Sequence, residues 1–230
     1  FVCVNKMGIY YLYIFIVFKF SPLRCLSAIK SNVFVWIYGI SNSRNVRRVE
    51  MIKVIWTEEQ IQNRIERVLA QLKGKTYLPV VILNGGLALY DKLYSAEARS
   101  AFCGNENGTI FTSTCIPLKA SSYALNNRTP KVEILNQAEI DLSLVKNKNV
   151  LIIDDICDSG NTLKTVTDYL SKYKPNSIES LVCVWKKNAS KFGIVPDHYL
   201  FATHINSFLF GFGMDYNGNF RQEPNIYSEE

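Results

Sequence analysis

The sequence predicts an α/β fold in which a parallel sheet carries helices on both faces, and three observations predict it. Short uninterrupted apolar runs at residues 78–83 and 150–153 have the length and composition of strands covered on both sides. Stretches with apolar residues at helical spacing alternate with them, which is the pattern of strands joined by helical crossovers. Small and acidic residues gather where the runs stop, and such sheets bind ligands at the carboxyl ends of their strands. Neither an internal repeat nor a linker interrupts residues 51–230, so one domain is expected there, with a small hood built from its terminal segments.

Residues 1–50 stand apart. Of the 26 basic and 20 acidic residues of the chain, 7 and 1 fall in this stretch, leaving 19 of each in the remainder. The body is therefore neutral, and the overall charge of +6 gives no basic face that would argue for nucleic acid. The apolar and aromatic run 8–18 is shorter than the roughly 18 residues a membrane-spanning helix needs, and no membrane role is expected. Its length suits a signal-peptide core, with Leu26-Ser27-Ala28 a poor cleavage site, and its lack of acids has a transit-peptide flavour. A third reading is that these residues are a non-native leader. The chain opens on Phe1, Arg47-Arg48-Val49-Glu50 can be encoded by the purine-rich bases that precede bacterial start codons, and Met51 is followed at once by a domain start. On this expectation translation begins at Met51, and a chain cut there keeps full activity.

The body then runs in order. Thr57-Glu58-Glu59-Gln60 is a capping box, and Ile61, Ile65, Val68, Leu69 and Leu72 follow on one helical face with Arg64 and Arg67 outward. The strand at 78–83 closes on Asn84-Gly85-Gly86 before an amphipathic helix at about 87–102. A strand is expected at 110–118, leading into Lys119-Ala120-Ser121-Ser122-Tyr123. Residues 124–136 are polar and turn-rich without an apolar period, hence a mobile loop. Further strands are expected at 178–185 and 199–202.

The chain is organised around Val150-Leu-Ile-Ile-Asp154-Asp155-Ile-Cys-Asp158-Ser159-Gly160-Asn161-Thr162-Leu163. Four apolar residues make a buried strand, and the acids begin where it should end. Small residues then form a tight turn into a helix carrying Leu163, Val166, Leu170 and Tyr173. Free backbone N–H groups and the helix dipole favour a phosphate at that turn. Acids beside a phosphate must face something else, and ribose hydroxyls or a divalent cation carried in with the ligand are the sensible partners. Receiver domains and aspartate-nucleophile phosphatases also follow a strand with an Asp pair, but need no Gly-containing anion turn four residues on. A Walker-type loop is not present in the sequence.

This stretch resembles the phosphoribosyl-diphosphate (PRPP) signature of type I phosphoribosyltransferases. The resemblance implies that fold, with Asp154 and Asp155 on the ribose hydroxyls and Ser159, Gly160, Asn161 and Thr162 around the 5′-phosphate. It also implies that Asn84 and Gly85 receive the departing pyrophosphate, in a loop that often has a cis peptide before its second residue, and that Ser122 and Tyr123 close over the site at the root of a flexible loop. Asp158 distinguishes the 6-oxopurine members, where its natural role is general base toward the purine N7. From Phe208 to Arg221 the pattern Phe-x-x-Gly-aromatic-x-x-Asp-Tyr-Asn-x-x-Phe-Arg resembles the hypoxanthine-guanine phosphoribosyltransferases almost position by position. By that likeness Phe208 stacks on the purine beside Leu209, Lys187 donates to its 6-oxo group, Asp215 lies near the 2-position and a second metal, and Arg221 meets pyrophosphate. Mg²⁺ is implied as cofactor, held through Asp154, Asp155 and Asp215. PRPP, a 6-oxopurine base and the nucleotide product are the implied partners, in a cytoplasmic homodimer or homotetramer. Asn84 departs from the family, whose human-type members carry Lys there, and Asn161 replaces a Lys of some relatives. A xanthine-preferring enzyme, a PRPP-binding regulator of RNA and a leader-anchored membrane protein are the competing readings.

Six cysteines, none in a C-x-x-C pair, and only two histidines argue against a zinc site. Cys157 and Cys183 are expected as buried thiols. Cys103 and Cys115 could pair, though reduced thiols are the expectation in cytosol.

Overall fold

The computed structural model describes residues 2–4, 10–12, 35–37, 50–102, 110–123, 131–135, 140–188 and 193–229. The chain divides into two units, Phe1–Ser31 and Asn32–Glu230. In the first, β1 (Val2–Val4) pairs antiparallel with β2 (Tyr10–Leu12). The second begins with β3 (Val35–Ile37) and β4 (Glu50–Trp56). Among the described residues no helix is long and apolar enough to cross a membrane.

Helix α1 (Glu58–Leu72) starts as its capping box requires, with Thr57 Oγ1 accepting from the Gln60 N–H at 3.3 Å and Gln60 Oε1 accepting from the Thr57 N–H at 2.9 Å. Its buried residues are Ile61, Ile65, Val68, Leu69 and Leu72, each worth about 1.5–3 kcal/mol when removed from water. β5 (Tyr77–Leu83) leads into α2 (Gly86–Phe102), then β6 (Ile116–Tyr123), β7 (Lys131–Ile134), β8 (Asn149–Cys157), α3 (Asn161–Ser171), β9 (Ser177–Lys186) and β10 (His198–Thr203). These strands form one six-stranded sheet in the order β10-β9-β8-β5-β6-β7. Every neighbouring pair is parallel except β6 with β7. The sheet is covered on both faces: Leu151 and Ile153 of β8 join the core with α1 and α2, whereas Val150 and Ile152 join the one with Leu163, Val166 and Leu170 of α3.

Two segments differ from expectation. The strand foreseen at 110–118 starts only at Ile116, because Ile110 and Phe111 give their N–H groups to Glu97 Oε1 and Thr112 Oγ1 turns to the Thr114 carbonyl. Within the stretch read as a loop at 124–136, residues 131–134 are β7, which hairpins onto β6 with Val132 and Ile134 buried on one side. Residues 124–130 lie outside the described residues.

The hood is a second, antiparallel sheet of order β11-β12-β4-β3, with β11 (Leu209–Phe210) and β12 (Ile226–Glu229) from the end of the chain. β3 pairs with β4 from Val35↔Ile52 to Ile37↔Glu50, while β4 keeps β12 on its other side.

Near the amino ends of the central strands, Glu179 accepts from Lys75 at 2.8 Å and Tyr77 at 2.9 Å, and meets His198 Nε2 at 3.0 Å. Burial alone would raise this carboxyl, but bonds from Lys75, His198 and Tyr77 outweigh it and hold it down to about 2. A depressed carboxylate stabilises the fold above its ordinary value of 4.5 and loses that contribution as pH falls toward 2. Glu179→Gln should therefore flatten the acid limb of stability between those values. It should also cost about 1–3 kcal/mol near neutrality, discounted because Lys75 is largely solvated. Urea unfolding at pH 7, 4 and 3 measures both, and an acid limb as steep as the parent's would exclude Glu179 as its source.

Candidate active site

Many of the candidate side chains collect at the carboxyl ends of β5, β8 and β9, beside the hood, where a β-carbon on Gly213 would meet the Gly85 carbonyl. β8 extends past Ile153, through both acids, to Cys157, because β9 continues beside it and pairs Asp154↔Val182, Ile156↔Val184 and Cys157↔Trp185. Asp154 is 5 % exposed, and its Oδ1 accepts the Asp155 N–H at 2.9 Å. Burial, then the neighbouring Asp155 charge, raises the Asp154 carboxyl well above its ordinary range. Burial also raises Asp155, opposed by hydrogen bonds from Asp154 and the Ile156 N–H and by the Arg221 charge. Two such carboxyls side by side call for a cation or hydroxyl donors from a ligand. Gly85 explains how the β5 loop fits here, since a β-carbon on it would fall inside the Asp155 carboxyl group. The same loop contains the cis peptide Leu83–Asn84, and Asn84 itself is exposed.

The turn after β8 ends at Gly160, the N-cap of α3, whose backbone is left-handed (φ 80°). No side chain caps this helix, and Ser159 Oγ accepts from the Asn161 N–H at 3.3 Å. Asn161 and Thr162 open a helix with the macrodipole behind its first turn, which suits an anion, although the Asn161 N–H already meets Ser159 Oγ. The thiols Cys157 and Cys183 are free and buried, and burial, then Asp154 and Asp158, pushes the Cys157 thiol up to about 11.

Across the mouth, the lysine that meets Asp158 is Lys186. Its Nζ lies 3.6 Å from Asp158 Oδ2 and donates to the Ser207 carbonyl at 3.0 Å. The Lys186 side chain is 8 % exposed against 55 % for Asp158, so a nearly buried cation faces an open carboxylate. Lys187, to which the sequence reading gave the purine contact, is exposed and lies over the Trp185 ring with Nζ 5.5 Å from its centroid. Lys186 is the last residue of β9 and Lys187 opens the turn that follows it.

The hood supplies the rest. Phe208 is 52 % exposed next to Ser207, whereas the Leu209 side chain packs into the core and its backbone pairs with Ser228. Arg221 reaches back to donate to the Gly213 carbonyl at 2.6 Å and to Asp215 Oδ1, while Asp215 Oδ2 accepts the Gly218 N–H at 2.9 Å. Arg221 is thus ion-paired with Asp215, and its charge is among the causes that oppose the rise of Asp155. Ser122 and Tyr123 end β6 opposite Val132 and Lys131 of β7, at the root of the hairpin.

The phosphoribosyl transferase domain family matches residues 118–217. A hypoxanthine-guanine phosphoribosyltransferase of Staphylococcus aureus is 32% identical over 183 residues, covering 77% of this chain and 93% of that protein. The enzyme of that name from Rattus norvegicus is 28% identical, covering 75% of this chain and 78% of its own. A crystal structure of a hypoxanthine phosphoribosyltransferase from Staphylococcus aureus superposes with TM-score 0.64 at 30% identity, over 77% of this chain and 90% of that one. At 32% identity over 93% of the Staphylococcus aureus protein, this chain belongs to the hypoxanthine-guanine phosphoribosyltransferase family.

Proposed function

We propose that this protein transfers the 5-phosphoribosyl group of PRPP to hypoxanthine or guanine, yielding IMP or GMP and pyrophosphate, in purine salvage. The observation that carries the choice of base is the Lys186–Asp158 pair, 3.6 Å apart and tied to the segment of Phe208 through the Ser207 carbonyl. An ammonium can donate but not accept, which favours a keto oxygen, and a carboxylate can take the proton released when the purine is alkylated. Phe208 offers an aromatic face to the ring. Asp154 and Asp155 take the ribose hydroxyls, the turn 159–162 the 5′-phosphate, and Asn84, Gly85 and Arg221 the leaving pyrophosphate, with Ser122 and Tyr123 at the closing hairpin.

Magnesium fits this donor set as a shared rather than a caged ion. Among the described residues no three His, Cys, Asp or Glu side chains converge, yet the buried Asp154 and the half-buried Asp155 are two crowded carboxyls. Mg²⁺ is commonly held by one or two carboxylates together with substrate phosphates. Asp154 and Asp155 would hold it, with Asp215 available only in competition with Arg221. When bound, the ion neutralises charge gathering on the departing diphosphate.

A cytoplasmic homodimer or homotetramer accompanies this reading. Residues 1–50 we take to be dispensable, because their charge departs sharply from the neutral body and the hood retains β11, β12 and β4 without β3. A chain started at Met51 should turn over within about tenfold of the full chain, a barrier change near 1.4 kcal/mol, and a larger loss would give the leader a role. The deciding assay for function mixes the protein with PRPP, Mg²⁺ and each of hypoxanthine, guanine, xanthine, adenine and uracil. Pyrophosphate release with the first two supports the proposal, preference for xanthine corrects the base, and no turnover with any base removes it.

A further inference from the structure

We propose that Tyr216 is a positioning residue for the base, holding the Phe208 ring through a T-shaped contact in the attitude on which the purine stacks. The inference rests on the reading of Phe208 as the stacking face. An exposed phenylalanine on a chain segment gains a defined plane only if something fixes both its backbone and its ring. The backbone is fixed on two sides: the Phe208 carbonyl accepts the Glu229 N–H at 3.2 Å, and Lys186 Nζ holds the Ser207 carbonyl at 3.0 Å. The ring that Phe208 meets among the described residues is Tyr216, with centroids 5.7 Å apart and planes at 73°. Whichever ring presents its edge, a T-shaped pair covers at most one face of Phe208 and leaves the other for a ligand.

Tyr216 is itself held firmly. Its ring meets Phe210 at 5.3 Å and Phe220 at 6.5 Å, and Phe210, 2 % exposed, stacks on Tyr227 at 5.4 Å and 17°. Its backbone exchanges two 3.0 Å hydrogen bonds with Asn219. The two residues between them, Asn217 and Gly218, both have positive φ (51° and 78°), the tight-turn geometry for which Asn-Gly is the preferred pair. The side chain of Asp215 pins the turn from outside through the Gly218 N–H. A half-exposed ring thus leans on one whose position is set by a buried aromatic stack and a closed turn.

Losing such an edge-to-face contact should weaken base binding by roughly two- to tenfold. The test is a double-mutant cycle on KM for guanine, with KM for PRPP measured alongside. Tyr216→Leu should raise the guanine KM by that factor while the PRPP value stays within about twofold, and Tyr216→Phe, which keeps the ring, should recover most of the loss. In the Phe208→Leu background the change at Tyr216 should add nothing, since a residue acting through Phe208 has nothing left to act on. Additive effects, or equal rises in both KM values, overturn the inference and leave Tyr216 a general support of the hood. If Phe208→Leu raises the guanine KM and Tyr216→Leu does not, this inference alone fails. If Phe208→Leu changes nothing, the stacking reading fails and takes the inference with it. Should Tyr216→Leu not fold, Tyr216→Met fills the volume without a ring and is read by the same criteria.

Discussion

Asp158→Asn is expected to lower turnover by about 10²- to 10⁴-fold while PRPP affinity stays close to that of the parent. The carboxylate stands at the start of the anion turn, 55 % exposed, so a ligand seated between β8 and the hood can reach it. Its neighbour is a cation at 3.6 Å, and Lys186 keeps the Ser207 carbonyl as a second partner when the charge at 158 is removed. Asparagine preserves shape and volume and still accepts a hydrogen bond, but it takes no proton at neutral pH. The loss should therefore appear in kcat with every accepted base, and hardly at all in binding of PRPP, whose contacts are assigned to Asp154, Asp155 and the turn. Single-turnover rates with guanine and hypoxanthine, beside PRPP binding by calorimetry, separate the two quantities. Near-parental rates with both bases would remove Asp158 as the general base. A parallel loss of PRPP affinity would make it a sugar-site residue instead.

Local chemistry made much of this molecule legible. Thr57 and Gln60 announce the start of α1, and the burial of Ile61, Ile65, Val68, Leu69 and Leu72 follows from their spacing alone. The run at 150–153 reads as a doubly covered strand because nothing polar interrupts it, and those four residues have no exposed surface. What escaped depends on partners distant in sequence. Asp154 and Asp155 look like a strand's end, since acids disfavour strands, yet β9 runs on beside them and the ladder overrides propensity. β7 is four residues long, too short for the alternation of Val132 and Ile134 to stand out in a polar stretch. Arg221 and Asp215 are read separately as pyrophosphate and base contacts, and the chain reversal at Asn217–Gly218, with the Gly213 N–H donating to the Arg221 carbonyl, brings them against each other. Lys186 and Lys187 show the limit most sharply. Phase in a strand is read from alternation, but Val182, Cys183 and Val184 are all fully buried, so the run leading to the two lysines carries no alternation by which to choose.

That choice sets the largest expected change in base selectivity. Lys186→Gln should lower kcat/KM for guanine and hypoxanthine and narrow the gap to adenine, whereas Lys187→Gln should leave the ratio unchanged. An ammonium has three N–H donors, and among the described residues Lys186 directs one to Ser207 and lies beside Asp158, leaving donor capacity for a 6-oxo group. Adenine would put a 6-amino donor against that nearly buried cation, and a mismatch that leaves polar groups unpaired can discriminate by about 10⁴. Glutamine can turn its amide oxygen toward an amino group, so part of that discrimination disappears together with the charge-assisted bond to the oxo group, itself worth about 1.5–3 kcal/mol. Lys187 serves as the internal control because its ammonium lies over Trp185 in solvent. The guanine-to-adenine ratio of kcat/KM on the parent and both variants decides the matter. If the ratio collapses in Lys187→Gln and not in Lys186→Gln, the contact belongs to the outer lysine. If it moves in neither, base choice is made by another part of the hood, and the cation at 186 serves only to hold Asp158 and Ser207 in place.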